Sequence, residues 1–255
     1  MRIEETAMGV NRRDFFIGAA GLAVGAASCW CVQAYRAGLP NAIVQENGDH
    51  QNANLGPGMT PAEAMQKLMD GNRRFADGRL THPHESVEWR RAVSAEQNPF
   101  AVILSCSDSR VVPELIFDEG LGDLFVVREA GNVADDDSLG SIEYAVGHFH
   151  IPLIFVLGHQ RCGAIQAAAS SLINDAPAPG HILRLVDDLA PAIREAQARG
   201  GPLIETAVRI NTLQVAQRLR QSVPVLRPLV RRQQVRVVAG VYNMETGVVQ
   251  VLNEE

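Results

Sequence analysis

Two apolar, β-branched runs about fifty residues apart, Phe100–Leu104 and Leu153–Leu157, constrain this chain more than any other feature. Neither alternates with polar residues. Each therefore predicts a strand covered on both faces, the signature of a mostly parallel sheet. Parallel neighbours need long crossovers, and helical patterns fill the intervals between strands, so the expected fold class is α/β: a mostly parallel central sheet flanked by helices. Both runs end in chemically able residues: Cys106, Asp108 and Arg110 after the first, His159 and Cys162 after the second. In an open parallel sheet such groups collect at the carboxyl edge.

The other elements follow from local signals. Thr60-Pro61-Ala62-Glu63 reads as a capping box with proline in the first turn, and Met65, Leu68, Met69 and Phe75 then share one helical face. A second helix is expected over Glu85–Ala95, a short one over Pro113–Phe117, and one opened by Asp137 and Ser138. Another, of small residues, should follow Cys162. Two or three more should fill Ile182–Gln221, interrupted near Gly200-Gly201. Further strands are expected at Leu124–Val127 and Val235–Val241, with Val248–Leu252 returning as a hairpin. No Gly-x-Gly-x-x-Gly follows the first strand, so a dinucleotide site has no support.

The net charge of −6, with no basic stripe along any helix, argues against a nucleic-acid partner. Ahead of the domain, Arg12-Arg13 precedes 21 uncharged residues, Phe15–Tyr35, that open on Phe15-Phe16 and are rich in Gly and Ala. This segment resembles a twin-arginine export signal, which implies a protein exported to the periplasm or the outer face of the cytoplasmic membrane. An ordinary N-terminal membrane anchor and a lipidated Cys29 are the alternatives. The expected organisation is an export signal or anchor over 1–40, a flexible linker over 41–58 and one folded domain over 59–255.

Two thiols, an imidazole and a carboxylate at one sheet edge make a set suited to tetrahedral zinc. Arg110, two residues beyond Asp108, can reach back and hold that carboxylate ionised. Taken singly, each residue has a plainer reading: Asp108 as a helix cap, Arg110 as a surface ion pair, His159 as a structural histidine, and Cys106–Cys162 as a disulfide.

Cys106-x-Asp108-x-Arg110 followed by His159-x-x-Cys162, within Gly158-His-x-x-Cys-Gly163-Ala164, resembles the β-class carbonic anhydrases. The likeness runs from about Thr60 to Val251 and includes Phe125-Val-Val-Arg128, Gly131-Asn132 and Ile142-Glu143-Tyr144-Ala145. It implies one Zn2+ per chain on Cys106, His159 and Cys162. Asp108 would either be a fourth ligand or, paired with Arg110, leave that position to water. It also implies reversible hydration of carbon dioxide to bicarbonate and a proton by a zinc-bound hydroxide. Gln97, Phe125, Ala130, Tyr144 and Gly163 would line the substrate pocket near the interface of a homodimer or homotetramer. Outside that resemblance, Phe125 and Tyr144 read equally as core. Ile103 stands where allosteric members carry tryptophan, so bicarbonate-driven closing is not expected. Rival readings are hydrolysis of carbonyl sulfide or carbon disulfide on the same fold, a non-catalytic zinc domain, and a redox protein using Cys106 and Cys162. His148 and His150 flank a helix end, and the sequence does not assign the residue that passes the proton to buffer.

Overall fold

The computed structural model describes residues 58–176 and 178–252. The expected signal and all of the linker but Gly58 lie outside them. No helix of the described residues is long and apolar enough to cross a membrane.

The elements are α1 Pro61–Ala76, α2 Val87–Ala92, β1 Ala101–Ser105, α3 Pro113–Ile116, β2 Leu124–Arg128, a 3-10 turn Ala130–Asn132, α4 Asp136–Phe149 and β3 Leu153–His159. They continue with α5 Gly163–Ile173, α6 Ile182–Arg199, α7 Leu203–Gln221, α8 Leu226–Arg231, β4 Arg236–Tyr242 and β5 Val249–Leu252. The strands form one sheet in the order β2-β1-β3-β4-β5, parallel except for β5, which returns antiparallel on β4. The chain steps from β1 outward to β2 and then back across β1 to β3. The gap between β1 and β3 is therefore the topological switch point, where ligand sites form in such sheets.

Every residue of β1 and β3 is buried. Because successive side chains alternate across a strand, each strand feeds two cores. Val102, Leu104, Ile154 and Val156 enter one core with Ile142, Ile165, Leu189, Val208 and Leu226 of α4 to α8. Ala101, Ile103, Leu153, Phe155 and Leu157 enter the other with Ala64 and Leu68 of α1 and Ile116 of α3. The result is three layers, helix on sheet on helix. Phe155 meets Phe117 edge-on at 5.6 Å. Its ring also occupies the space a side chain at Gly240 would need. Truncating Phe155 to Ala would cost about 3–5 kcal/mol.

The capping box stands as expected: Glu63 N–H donates to Thr60 Oγ1 at 3.2 Å, and Thr60 N–H donates to Glu63 Oε2 at 2.7 Å. The second helix is shorter than its pattern suggests, because Ser86 caps it late and no residue of it is buried to extend it. α4 begins earlier than Asp137, with Asp135 as its cap, accepting from Ser138 N–H at 2.8 Å. α8 had no expectation; two prolines in Val223-Pro-Val-Leu-Arg-Pro228 mask its brief helical pattern.

Candidate metal centre

Ser105, the last residue of β1, pairs with Leu157 in β3, so Cys106 and His159 leave the sheet side by side. Arg161 turns the chain with φ 54° and delivers Cys162 to the start of α5. Gly158 lets this happen against α7: a Cβ there would stand 2.2 Å from Thr212 Oγ1. Cys106 Sγ, Cys162 Sγ and a His159 ring nitrogen lie within 4.8 Å of one another, all buried. Both cysteines are free thiols, so the disulfide reading does not hold.

The histidine's tautomer follows from its partner. His159 Nδ1 lies 2.9 Å from the Gln160 carbonyl oxygen, which can only accept, so Nδ1 carries the proton. In the neutral ring Nε2 then presents a bare lone pair, and this atom is fully buried with no hydrogen-bond partner. A buried acceptor left open is costly unless something answers it. The Cys162 thiol hydrogen-bonds Cys106 and drives the Cys106 thiol well below its ordinary range, against burial. The same contact, with burial, drives Cys162 upward. Two sulfurs contending for one proton beside an open imidazole nitrogen fit a thiolate-binding cation such as zinc.

Asp108 lies outside this group of three. Arg110 Nε donates to Asp108 Oδ1 at 2.9 Å and Arg110 Nη2 to Oδ2 at 2.8 Å, a bidentate clasp. That clasp holds the carboxyl well below the usual carboxylate range, despite partial burial. Asp108 as a standing fourth ligand is therefore not what the structure shows: its oxygens go to Arg110. Arg128, to which the sequence attached no role, fixes the same turn. Its Nε donates to the Cys106 carbonyl at 3.2 Å and its Nη2 to the Asp108 carbonyl at 2.7 Å.

The expected pocket residues divide. Ala130 opens the turn whose next residue, Gly131, donates its N–H to Cys106 Sγ at 3.2 Å. Gly163 follows Cys162 directly, and the space where its Cβ would stand is open. Phe125, in contrast, pairs with Val102, three rows below the Ser105–Arg128 pair and about 10 Å down the strand. Tyr144 is 54% exposed and meets Phe149, which also meets Phe125, so these rings share a patch beside β2. Gln97 precedes β1 and is exposed, with the whole strand between it and Cys106. One chain thus does not bring Gln97, Phe125 and Tyr144 to its own ligand set. His148 and His150 stand at the end of α4, with the length of β3 between them and His159.

The family model for carbonic anhydrase matches residues 101–249, more than half of the chain. The chain belongs to the β-class carbonic anhydrase family. Among curated relatives, carbonic anhydrase 2 of Mycobacterium tuberculosis is 51% identical over 138 residues, 54% of this chain and 66% of that protein. The match thus spans just under two thirds of that carbonic anhydrase. The carbonic anhydrase of Pseudomonas aeruginosa is 32% identical over 198 residues, 74% of this chain and 88% of the relative. Of solved structures, the β-carbonic anhydrase CcaA superposes with a TM-score of 0.57 at 29% identity, over 74% of this chain and 95% of its own. A Coccomyxa β-carbonic anhydrase in complex with acetazolamide gives 0.57 at 26%, over 74% and 86%. β-Carbonic anhydrases are zinc enzymes, and the Cys106–His159–Cys162 group is suited to that ion.

Proposed function

We propose that this protein catalyses the reversible hydration of carbon dioxide to bicarbonate and a proton. The observation that carries the reading is the bidentate hold of Arg110 on Asp108 beside three converging, buried ligand atoms. A purely structural zinc site needs no arginine to draw a fourth candidate ligand away.

Cys106, His159 and Cys162 would hold zinc, which supplies a Lewis acid that lets water ionise near pH 7. Arg110 keeps Asp108 ionised and oriented. The lone pairs left on Asp108 accept a hydrogen bond from the attacking water and aim its oxygen at the carbon of carbon dioxide. Gly163, with no side chain, leaves room for the product beside Cys162, and Ala130 borders the same end of the sheet.

Phe125, Tyr144 and Gln97 complete the pocket of a neighbouring chain in a homodimer or larger homo-oligomer. The exposure of Gln97 and Tyr144, the distance of all three from their own ligands and the position of β2 at the edge of the sheet among the described residues support this placement. Export through the Arg12-Arg13 segment, with the N-terminus meeting the membrane in transit, is part of the same proposal and rests on that motif alone.

The deciding measurement is stopped-flow carbon dioxide hydration on protein of known zinc content. Turnover that scales with zinc supports the reading. Zinc-loaded protein that turns over carbonyl sulfide or carbon disulfide but not carbon dioxide would replace it with the hydrolase reading.

A further inference from the structure

We infer that Asn211, on a helix that carries no metal ligand, is a positioning residue for the metal centre, acting through Gly131 on the Cys106 sulfur. The inference rests on the metal reading above and goes beyond it by naming what holds the sulfur's amide donor in place.

Besides Ile210, α7 buries one stripe, Ala207, Val208, Asn211, Thr212, Val215, Ala216 and Leu219. Asn211 is the one amide in that stripe, 3% exposed, and it has a specific task. Its Nδ2 donates to the Gly131 carbonyl oxygen at 2.8 Å. The N–H of that same peptide unit, belonging to Asn132, donates to the Glu129 carbonyl at 2.8 Å. One peptide plane is thus gripped at both ends, from α7 on one side and from the close of β2 on the other. Gly131 itself has φ 73°, a conformation that L side chains rarely adopt, and a Cβ there would meet the Leu189 methyls at 3.0 and 3.1 Å. The grip is therefore needed as well as present: glycine on its own has the widest choice of backbone conformations, and the peptide would turn freely without a partner.

The Gly131 N–H lies on the preceding peptide plane, joined to the gripped one through the φ and ψ of Gly131, and in this conformation it donates to Cys106 Sγ at 3.2 Å. An amide donor on a thiolate draws charge from the sulfur. It tempers what Cys106 gives to an ion, in a centre where two thiolates would otherwise donate more than imidazoles do. Outer partners of this kind orient ligands and tune the metal.

The test uses full-length protein loaded with zinc, and with Co2+ as a spectroscopic substitute. Asn211→Leu removes the donor at similar size, and Asn211→Asp turns an acceptor toward the carbonyl. Thr212→Val is the control. It removes a buried hydrogen bond one residue along the same helix, Thr212 Oγ1 to the Val208 carbonyl at 2.7 Å, which does not reach the turn. Expected results are a displaced sulfur-to-cobalt charge-transfer band and metal release to a chelator about 10- to 100-fold faster in both Asn211 variants. Thr212→Val should leave both readings native. An Asn211→Leu protein with native band and release rate overturns the inference, as does a Thr212→Val protein that changes equally. Should neither Asn211 variant fold, amide exchange in the metal-loaded wild type decides. Protection of the Gly131 amide comparable with the α7 core supports the inference, and exchange at the rate of an exposed loop overturns it. Wild-type protein that takes up neither ion overturns the metal reading itself, an outcome distinct from loaded protein indifferent to Asn211.

Discussion

The two edges of the sheet bury polar groups in opposite ways. At the amino edge charges are answered locally: Lys67 Nζ lies 3.1 Å from Glu119 and 3.7 Å from Asp123, and His84 Nδ1 lies 2.7 Å from Asp123. Arg74 pairs with Asp118, which also accepts from the backbone of Thr81 and His82. At the carboxyl edge two sulfurs and one imidazole nitrogen face each other within 4.8 Å, while Arg110 beside them gives its Nε and Nη2 to Asp108. Burial alone therefore does not mark function. Opposite charges in contact tie α1 to the turn before β2, whereas lone pairs aimed at a common point call for an ion.

The largest effect that would break this contrast comes from the ligands. Cys106→Ser and Cys162→Ser should each lose zinc and activity together, because a hydroxyl is a poor zinc ligand. Stoichiometric zinc in either variant by metal analysis would refute the assignment. Next, Arg110→Ala should keep zinc yet lose activity by about 100-fold or more, as Asp108 is freed to take the ion. Native turnover with full metal content would return Arg110 to an ordinary surface ion pair. Lysine in place of both Arg12 and Arg13 should strand active, metal-loaded enzyme in the cytoplasm; cell fractionation checks this, and unchanged export would point to an ordinary signal or anchor.

At the other edge, Lys67→Met should cost about 2 kcal/mol of stability in urea melts while leaving zinc content and turnover untouched. A loss of metal on that substitution would erase the distinction between the edges. The smallest expected effect is a slope with pH. Burial, partly offset by Lys67, raises the Glu119 carboxyl from its ordinary 4.5 to about 7. A carboxyl raised on folding contributes stability below the unfolded value, and that contribution is lost as pH rises through the folded value. The urea midpoint should therefore fall from about pH 4.5 to about pH 7 in the wild type and flatten in Glu119→Gln. An unchanged slope in that variant would assign it to other groups.

What could be read from the sequence was whatever repeats at short range. The apolar runs at β1 and β3, the Thr60 cap and the helix break at Gly200-Gly201 all carry their own signals, and the ligand triplet follows two of those strands directly. The parts that escaped depend on contacts between distant residues. Arg128 sits in an ordinary strand sequence, and only the fold reveals that it reaches two carbonyls of the Cys106 turn. Asn211 left a fainter trace, an amide at a position of helical period otherwise filled by small and apolar residues. Phe125, Tyr144 and Gln97 show the limit differently: they come with the family pattern, which carries no statement of whose pocket a residue serves.

Gly158 and Thr212 were met only as a close approach of strand and helix, yet that approach links their histories. A side chain at 158 would displace Thr212, and with it the helix turn that also carries Asn211. Shrinking Thr212 alone would leave a void against β3. Related chains should therefore be found to change these two positions together or not at all, so that the seat of β3 on α7 is inherited as one unit.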